Sequence, residues 1–161
     1  MRTGLSWRQR ILVRRRIKRA ALTGYRNRNR IRYTQGGNRW WGINNRKRSY
    51  KGDYPRWGDC SAFATWCIWD GCLGYIRSGK IRTDFVNGAK WKAGFTGTMT
   101  GHGVRVSRPK LVGDLVFYGS PINHVAIYVG GGNVVSFGSD PGPLLLAWNY
   151  RDVAQTRRYV R

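Results

Sequence analysis

The chain contains no glutamate, and its 161 residues include only seven acidic side chains, all aspartate (53, 59, 70, 84, 114, 140 and 152). A mechanism built on a pair of glutamates is excluded. Histidine is scarcer still, with His102 and His124 alone, and cysteine occurs three times, at Cys60, Cys67 and Cys72, with no C-x-x-C pair. So small and odd a set is neither a disulfide framework nor a zinc site, since a structural metal would consume both histidines and most of the cysteines. No metal or cofactor is implied. No apolar run approaches the roughly 20 residues that a membrane span requires. The triplet Ile11–Val13 runs straight into Arg14–Arg16, so it is not the core of a secretory signal. No signal peptide is expected, and export would use another route.

What the chain has in excess is positive charge: 30 lysines and arginines, for a formal net charge of +23. That excess predicts an anionic partner, whether nucleic acid, anionic lipid or a polyanionic cell wall, and says nothing about fold. It is unevenly spread. Residues 1–48 hold 14 arginines and 2 lysines without one acid. A hydrophobic content of 41% with 14% aromatics is enough for a core, so the chain reads as one domain, residues 31–161, preceded by an Arg-rich amphipathic extension over 1–30.

Within that extension Ser6-Trp7-Arg8-Gln9 reads as a capping box. A helix over 7–23 places Val13, Ile17, Ala20 and Ala21 on one face, with Gly24 as its stop. Two roles are compatible for it: a helix docked on the domain with a solvated Arg face, or an arm for a membrane or polyanion. Residues 34–58 read as a long loop. Cys60, Phe63, Ala64 and Cys67 then fall at i, i+3, i+4 and i+7, one face of a helix ending near Gly71. Residues 83–90 read as a short helix and 93–110 as loop. From Asp114 the pattern becomes strand-like: Leu115–Tyr118, Val125–Val129, Val134 onward after a Gly130-Gly131-Gly132-Asn133 turn, and a last strand near Thr156–Val160. A helix followed by antiparallel strands makes an α+β domain.

Cysteine chemistry needs a thiolate, a neighbouring base, and donors for an oxyanion. A helix N-terminus favours the thiolate and points free N–H groups at the oxyanion. Cys60 stands where the helical period begins, after Gly58-Asp59, whereas Cys67 and Cys72 lie deeper and read as core. On this argument alone a buried inert thiol is an equal reading of Cys60. His124 opens an apolar strand, and a base on a sheet facing a thiol on a helix is a papain-like arrangement.

Four segments together carry a resemblance. Asp59-Cys60-Ser61 before an apolar helix resembles the nucleophile motif of the NlpC-type papain-like cell-wall peptidases, and Gly113–Tyr118 resembles their strand before the base. His124-Val125-Ala126-Ile127-Tyr128-Val129-Gly130 resembles their base motif, and Tyr33-Thr34-Gln35-Gly36-Gly37 their upstream Tyr-x-x-Gly-Gly. Each alone is weak; four in order, across residues 31–139, are specific. The stretches 30–41, 94–98 and 138–150 are also similar to phage-encoded, endolysin-like members. The resemblance implies an NlpC-type fold with the nucleophile helix packed on a central antiparallel sheet, and hydrolysis of peptidoglycan stem peptides. It casts Cys60 as nucleophile, with its backbone N–H at the oxyanion, and His124 as base. Asp59 and Ser61 line the substrate side, where the aspartate can meet a free peptide amine, and Tyr33 lies close to the thiol. Independently, Asp59 reads as a helix N-cap.

The sequence departs from that family at the third polar residue, commonly histidine, which follows the base and orients its ring. Ser136, Phe137 and Ser139 occupy the region, and the phage-like pattern has histidine where Phe137 stands. A two- or four-residue hairpin loop sets His124 opposite Ser139, with Phe137 on its face. A three-residue loop or a bulge brings Ser136 to the imidazole side instead. Ser136, ahead of Ser139, is therefore expected at the ring nitrogen remote from Cys60, directly or through a water. His102 reads as a loop residue.

A competing reading is a virion or scaffold protein that binds nucleic acid through residues 1–48, with Trp40, Trp41 and tyrosines stacking on bases. An amidase or transferase on the same fold would use the same Cys–His pair. On the peptidase reading the partners are bacterial peptidoglycan and, through the basic N-terminus, an anionic wall polymer or membrane surface. The protein would reach the wall by phage-mediated release or virion delivery.

Overall fold

In the computed structural model, residues 4–40, 54–81 and 95–161 are described. The segment 83–90, expected as a helix, lies outside them, as does Trp41.

Helix α1 (Trp7–Arg26) begins with both arms of the capping box in place: Gln9 N–H donates to Ser6 Oγ (3.3 Å) and Ser6 N–H to Gln9 Oε1 (2.9 Å). Such a cap is worth about 1 kcal/mol. Val13, Ile17, Ala20, Ala21 and Gly24 form its buried stripe, within the same core as α2 (Cys60–Arg77). The boundary drawn at residue 30 therefore does not separate α1 from the packed body. The Arg14 guanidinium donates to the Val160 carbonyl, tying the helix to the C-terminal segment as well.

Both expected helix stops are in error, for one reason. α1 runs past Gly24 to Arg26, and α2 runs past Gly71 to Arg77. A Cβ on Gly24 would lie 2.5 Å from the Phe63 ring of α2, and one on Gly71 would lie 2.6 Å from Ile17 and 2.9 Å from the Val13 carbonyl of α1. These glycines let two helices approach; they do not end them.

Two short strands, β1 (Arg32–Tyr33) and β2 (Trp57–Gly58), pair in parallel, with Tyr33 opposite Gly58. The remaining strands are β3 (Val104–Val106), β4 (Leu115–Tyr118), β5 (His124–Gly130), β6 (Asn133–Ser136), β7 (Leu144–Ala147) and β8 (Val153–Arg158). They make one antiparallel sheet in the order β3-β8-β4-β5-β6-β7. A four-residue helix α3 (Thr96–Met99) and β3 occupy a stretch expected to be loop, and β7 also falls where no strand was expected.

The sheet's two faces differ. Leu115, Phe117, Val125, Ile127, Val135 and Phe137 join the core with the helices, while Val116, Tyr118, Ala126 and Val134 form a second cluster with Tyr128, Leu146, Trp148 and Tyr150. Asp114, fully buried before β4, receives Lys110 and Leu111 N–H and a two-pronged bond from Arg158 of β8 (both 2.8 Å). Its place in the Gly113-Asp114 motif is thus to anchor the turn and the neighbouring strand. The result is the expected α+β architecture, a nucleophile-bearing helix on an antiparallel sheet.

Candidate active site

Cys60 is the first residue of α2, and Asp59 is the N-cap, its Oδ1 accepting from Ala62 N–H at 2.8 Å. The same oxygen accepts from the Ser61 hydroxyl (3.0 Å), and Oδ2 accepts from the Arg39 guanidinium (2.8 Å). Both carboxylate oxygens are engaged and both Asp59 and Ser61 are buried. In this structure their polar groups serve each other, the helix end and Arg39. Arg39 in turn lies over the Trp40 ring, which is buried, so Trp40 does not present the base-stacking face that the nucleic-acid reading offered it for.

The thiol contacts the Thr96 hydroxyl of α3 (3.6 Å), and the backbone amides of Val125 and Ser61 lie against it and stabilise its charged form. Val125 follows His124 directly, so the first turn of α2 meets the opening of β5. Burial nevertheless raises the Cys60 pKa above that of an ordinary thiol, and Asp59 adds to the rise. The His124 imidazole moves the other way. Burial, and next the Arg151 charge, push it down to about 4, against an opposing pull from Asp59. At neutral pH the pair rests as a neutral thiol and a neutral ring, the form in which histidine can accept a proton.

The Nε2 edge of that ring is held by Ser136, whose Oγ lies 2.7 Å away. Register explains why. Gly131 and Gly132 form a two-residue turn, which alone would set His124 opposite Ser139. Val129, however, is an extra residue between the pairs Tyr128–Val134 and Gly130–Asn133, so Ala126 faces Ser136. One bulge flips the parity of the strand. Phe137 consequently points to the helix side, edge-on to Tyr33 (5.5 Å) and Phe63 (5.9 Å), and a histidine expected there would not reach the base.

Tyr33 runs beside Gly58, two residues before Cys60. Its amide donates to Asp140 (2.7 Å), and its hydroxyl accepts from Gln35 (3.1 Å). His102 sits in the turn before β3, edge-on to Tyr159, as a loop residue. Cys67 and Cys72 are fully buried in α2, and burial raises the Cys72 pKa far above the ordinary range. Sequence reasoning gave no role to Thr96, Arg39, Arg151 or Tyr150; the stretches 94–98, 30–41 and 138–150 carry resemblance alone, and only the fold brings these side chains to the site.

A model of the CHAP domain matches residues 49–137, more than half of the chain. The chain belongs to the CHAP domain family. No curated protein matches it. Among solved structures, this CHAP chain is similar to the P60 domain of an antigen from M. avium subspecies paratuberculosis (18% identity, 92% of this chain and 98% of that one, TM-score 0.58). It is also similar to NlpC2 from Trichomonas vaginalis (19%, 90% and 46%, TM-score 0.54), of whose length it spans less than half. RipD from Mycobacterium tuberculosis (16%, 88% and 96%, TM-score 0.53) is described as a non-catalytic NlpC/p60 domain protein adapted to peptidoglycan binding. At these identities the likeness is one of fold, the papain-like NlpC/P60 fold, while the family is CHAP. Solved structures with this fold include the NlpC/p60 domain of the peptidoglycan hydrolase SagA (22% identity, 88% of this chain and 97% of that one, TM-score 0.50) as well as the non-catalytic RipD.

Proposed function

We propose that this CHAP domain hydrolyses amide bonds in the stem peptides of bacterial peptidoglycan, with Cys60 as nucleophile, His124 as base and Ser136 as its orienting residue. The observation that carries the reading is the meeting of Cys60, at the start of α2, with a strand whose first residue is a histidine held from behind by a serine. Nδ1 of His124 takes the thiol proton as Sγ attacks the carbonyl, and Nε2–H donates to Ser136. The Cys60 N–H, at the positive end of α2, faces the developing oxyanion. The imidazolium then protonates the leaving amine. Water, deprotonated by the same ring, cleaves the thioester and restores the thiol.

Retention of both Cys60 and His124 favours catalysis over a binding-only role of the kind described for RipD. Asp59, Ser61 and Tyr33 are carried in this reading as the substrate-side wall, with Asp59 already paired to Arg39. The outward face of α1 carries exposed Arg8, Arg15, Arg16, Arg19 and Arg26 beside exposed Trp7 and Leu12. We assign it to an anionic wall polymer, which would hold the enzyme near its substrate. Arrival by phage-mediated release or virion delivery belongs to the same reading and rests on sequence resemblance alone.

The test is hydrolysis of purified cell wall. Cys60→Ala is expected to abolish it and His124→Ala to lower it by about 10²–10⁴-fold, while Cys67→Ala and Cys72→Ala retain it. Clearing by folded Cys60→Ala protein at the wild-type rate would sink the assignment.

A further inference from the structure

Serine is an awkward partner for a catalytic histidine. An aspartate can only accept from Nε2–H, whereas a hydroxyl can accept or donate. If Ser136 donates to Nε2, the ring carries its proton on Nδ1, and the nitrogen left for the thiol can no longer take a proton. For catalysis the bond must run outward, from Nε2–H to Ser136 Oγ, and the serine proton then needs an acceptor. Ser136 is buried, so bulk water does not supply one freely.

The structure supplies Tyr150, whose hydroxyl lies 2.9 Å from Ser136 Oγ. Its ring is fixed against Tyr118 (centroids 5.1 Å), which itself lies 5.8 Å from the His124 ring and donates its hydroxyl to the Trp148 carbonyl (2.8 Å). The Tyr150 amide donates to the Ala147 carbonyl (3.1 Å), fixing the segment that follows β7. Tyr150 itself is only half-buried, so its hydroxyl can pass its own hydrogen bond on to solvent.

We propose that Tyr150 is a positioning residue that sets the direction of the His124–Ser136 bond, completing a chain Nε2–H to Ser136 Oγ–H to Tyr150 Oη. The chain selects the tautomer with Nδ1 free. When Nδ1 takes the thiol proton, both ring nitrogens become donors, and only the outward direction remains compatible with the imidazolium. This rests on the catalytic reading above for its consequence, but not for its geometry.

Tyr150→Phe keeps the ring and removes the hydroxyl. Nitrogen-15 NMR of the His124 ring reads the tautomer without any substrate. Wild type at neutral pH is expected in the Nε2–H form, and Tyr150→Phe in a mixture with Nδ1–H. In hydrolysis, kcat is expected to fall about tenfold with KM within about twofold, and the loss should be absent from a Ser136→Asn background, where an amide oxygen assigned to Nε2 needs no second acceptor. An unchanged tautomer in folded Tyr150→Phe protein overturns the proposal, and so does an equal loss in the Ser136→Asn background. If instead wild type shows no Cys60-dependent hydrolysis, the catalytic reading fails, and the NMR result still decides the hydrogen-bond chain.

Discussion

The outer face of α1 and the Cys60–His124 centre handle charge in opposite ways. On that face Arg8, Arg15, Arg16, Arg19 and Arg26 are left to solvent, where exposed cations cost little and attract at a distance. At the centre, burial suppresses charge: the thiol is pushed up, the imidazole is pushed down to about 4, and Asp59 is tied to Arg39 and to its helix. The lesson is that a strongly cationic protein can keep a near-neutral reaction centre. On the proposed mechanism, charge there would be made only in the transition state, where N–H donors and the hydroxyl chain would receive it. On the proposed reading, the surface would bring the domain to an anionic polymer, while the centre excludes charge.

Forcing charge into the centre should have the larger effect. Well above pH 6.5 the His124 ring is neutral whether the chain is folded or not. As pH falls through 6.5 towards 4, the unfolded chain takes up a proton that the folded chain refuses. Stability is therefore lost over that window, by up to roughly 3 kcal/mol. Urea midpoints measured across pH 4–7 should fall less steeply for His124→Gln than for wild type, and parallel curves would contradict the burial argument. Hydrolysis by wild type should hold its rate down to about pH 5, since the base stays unprotonated.

Stripping charge from the surface should have the smaller effect. Replacing Arg8, Arg15, Arg19 and Arg26 with glutamine should weaken binding to whole cell wall about tenfold at low salt, with the difference vanishing at high ionic strength. Cleavage of small soluble stem-peptide fragments should be unchanged. Loss of that cleavage too would mean that the helix face does more than attract.

Much of this was legible in the chain. The capping box, the buried stripe of α1, Cys60 at a helix start and His124 at a strand start all follow from local periodicity and turn chemistry, which short segments encode by themselves. The errors fall where meaning depends on a partner far away in sequence. Gly24 and Gly71 look like helix stops until α1 and α2 are brought together, when each is seen to make room for a side chain of the other helix. Phe137 looks like the vacated place of a histidine until the bulge at Val129 turns it to the core and turns Ser136 to the ring. Whether a strand bulges depends on packing against its neighbours, so alternation alone left two parities open. Tyr150 stood in a stretch of family resemblance but with no role of its own, because its value lies in a contact with Ser136 across the sheet's outer face.

The central claim is that this buried pair cleaves stem-peptide amides, and the most direct measurement is digestion of purified peptidoglycan followed by mass analysis of the soluble fragments. The expected result is fragments bearing new amino and carboxyl ends within the stem peptide, produced by wild type and absent with Cys60→Ala. Fragments cut between sugar and peptide would make the enzyme an amidase on the same Cys–His pair. No fragments from wild type, or the same fragments from Cys60→Ala, would contradict the claim.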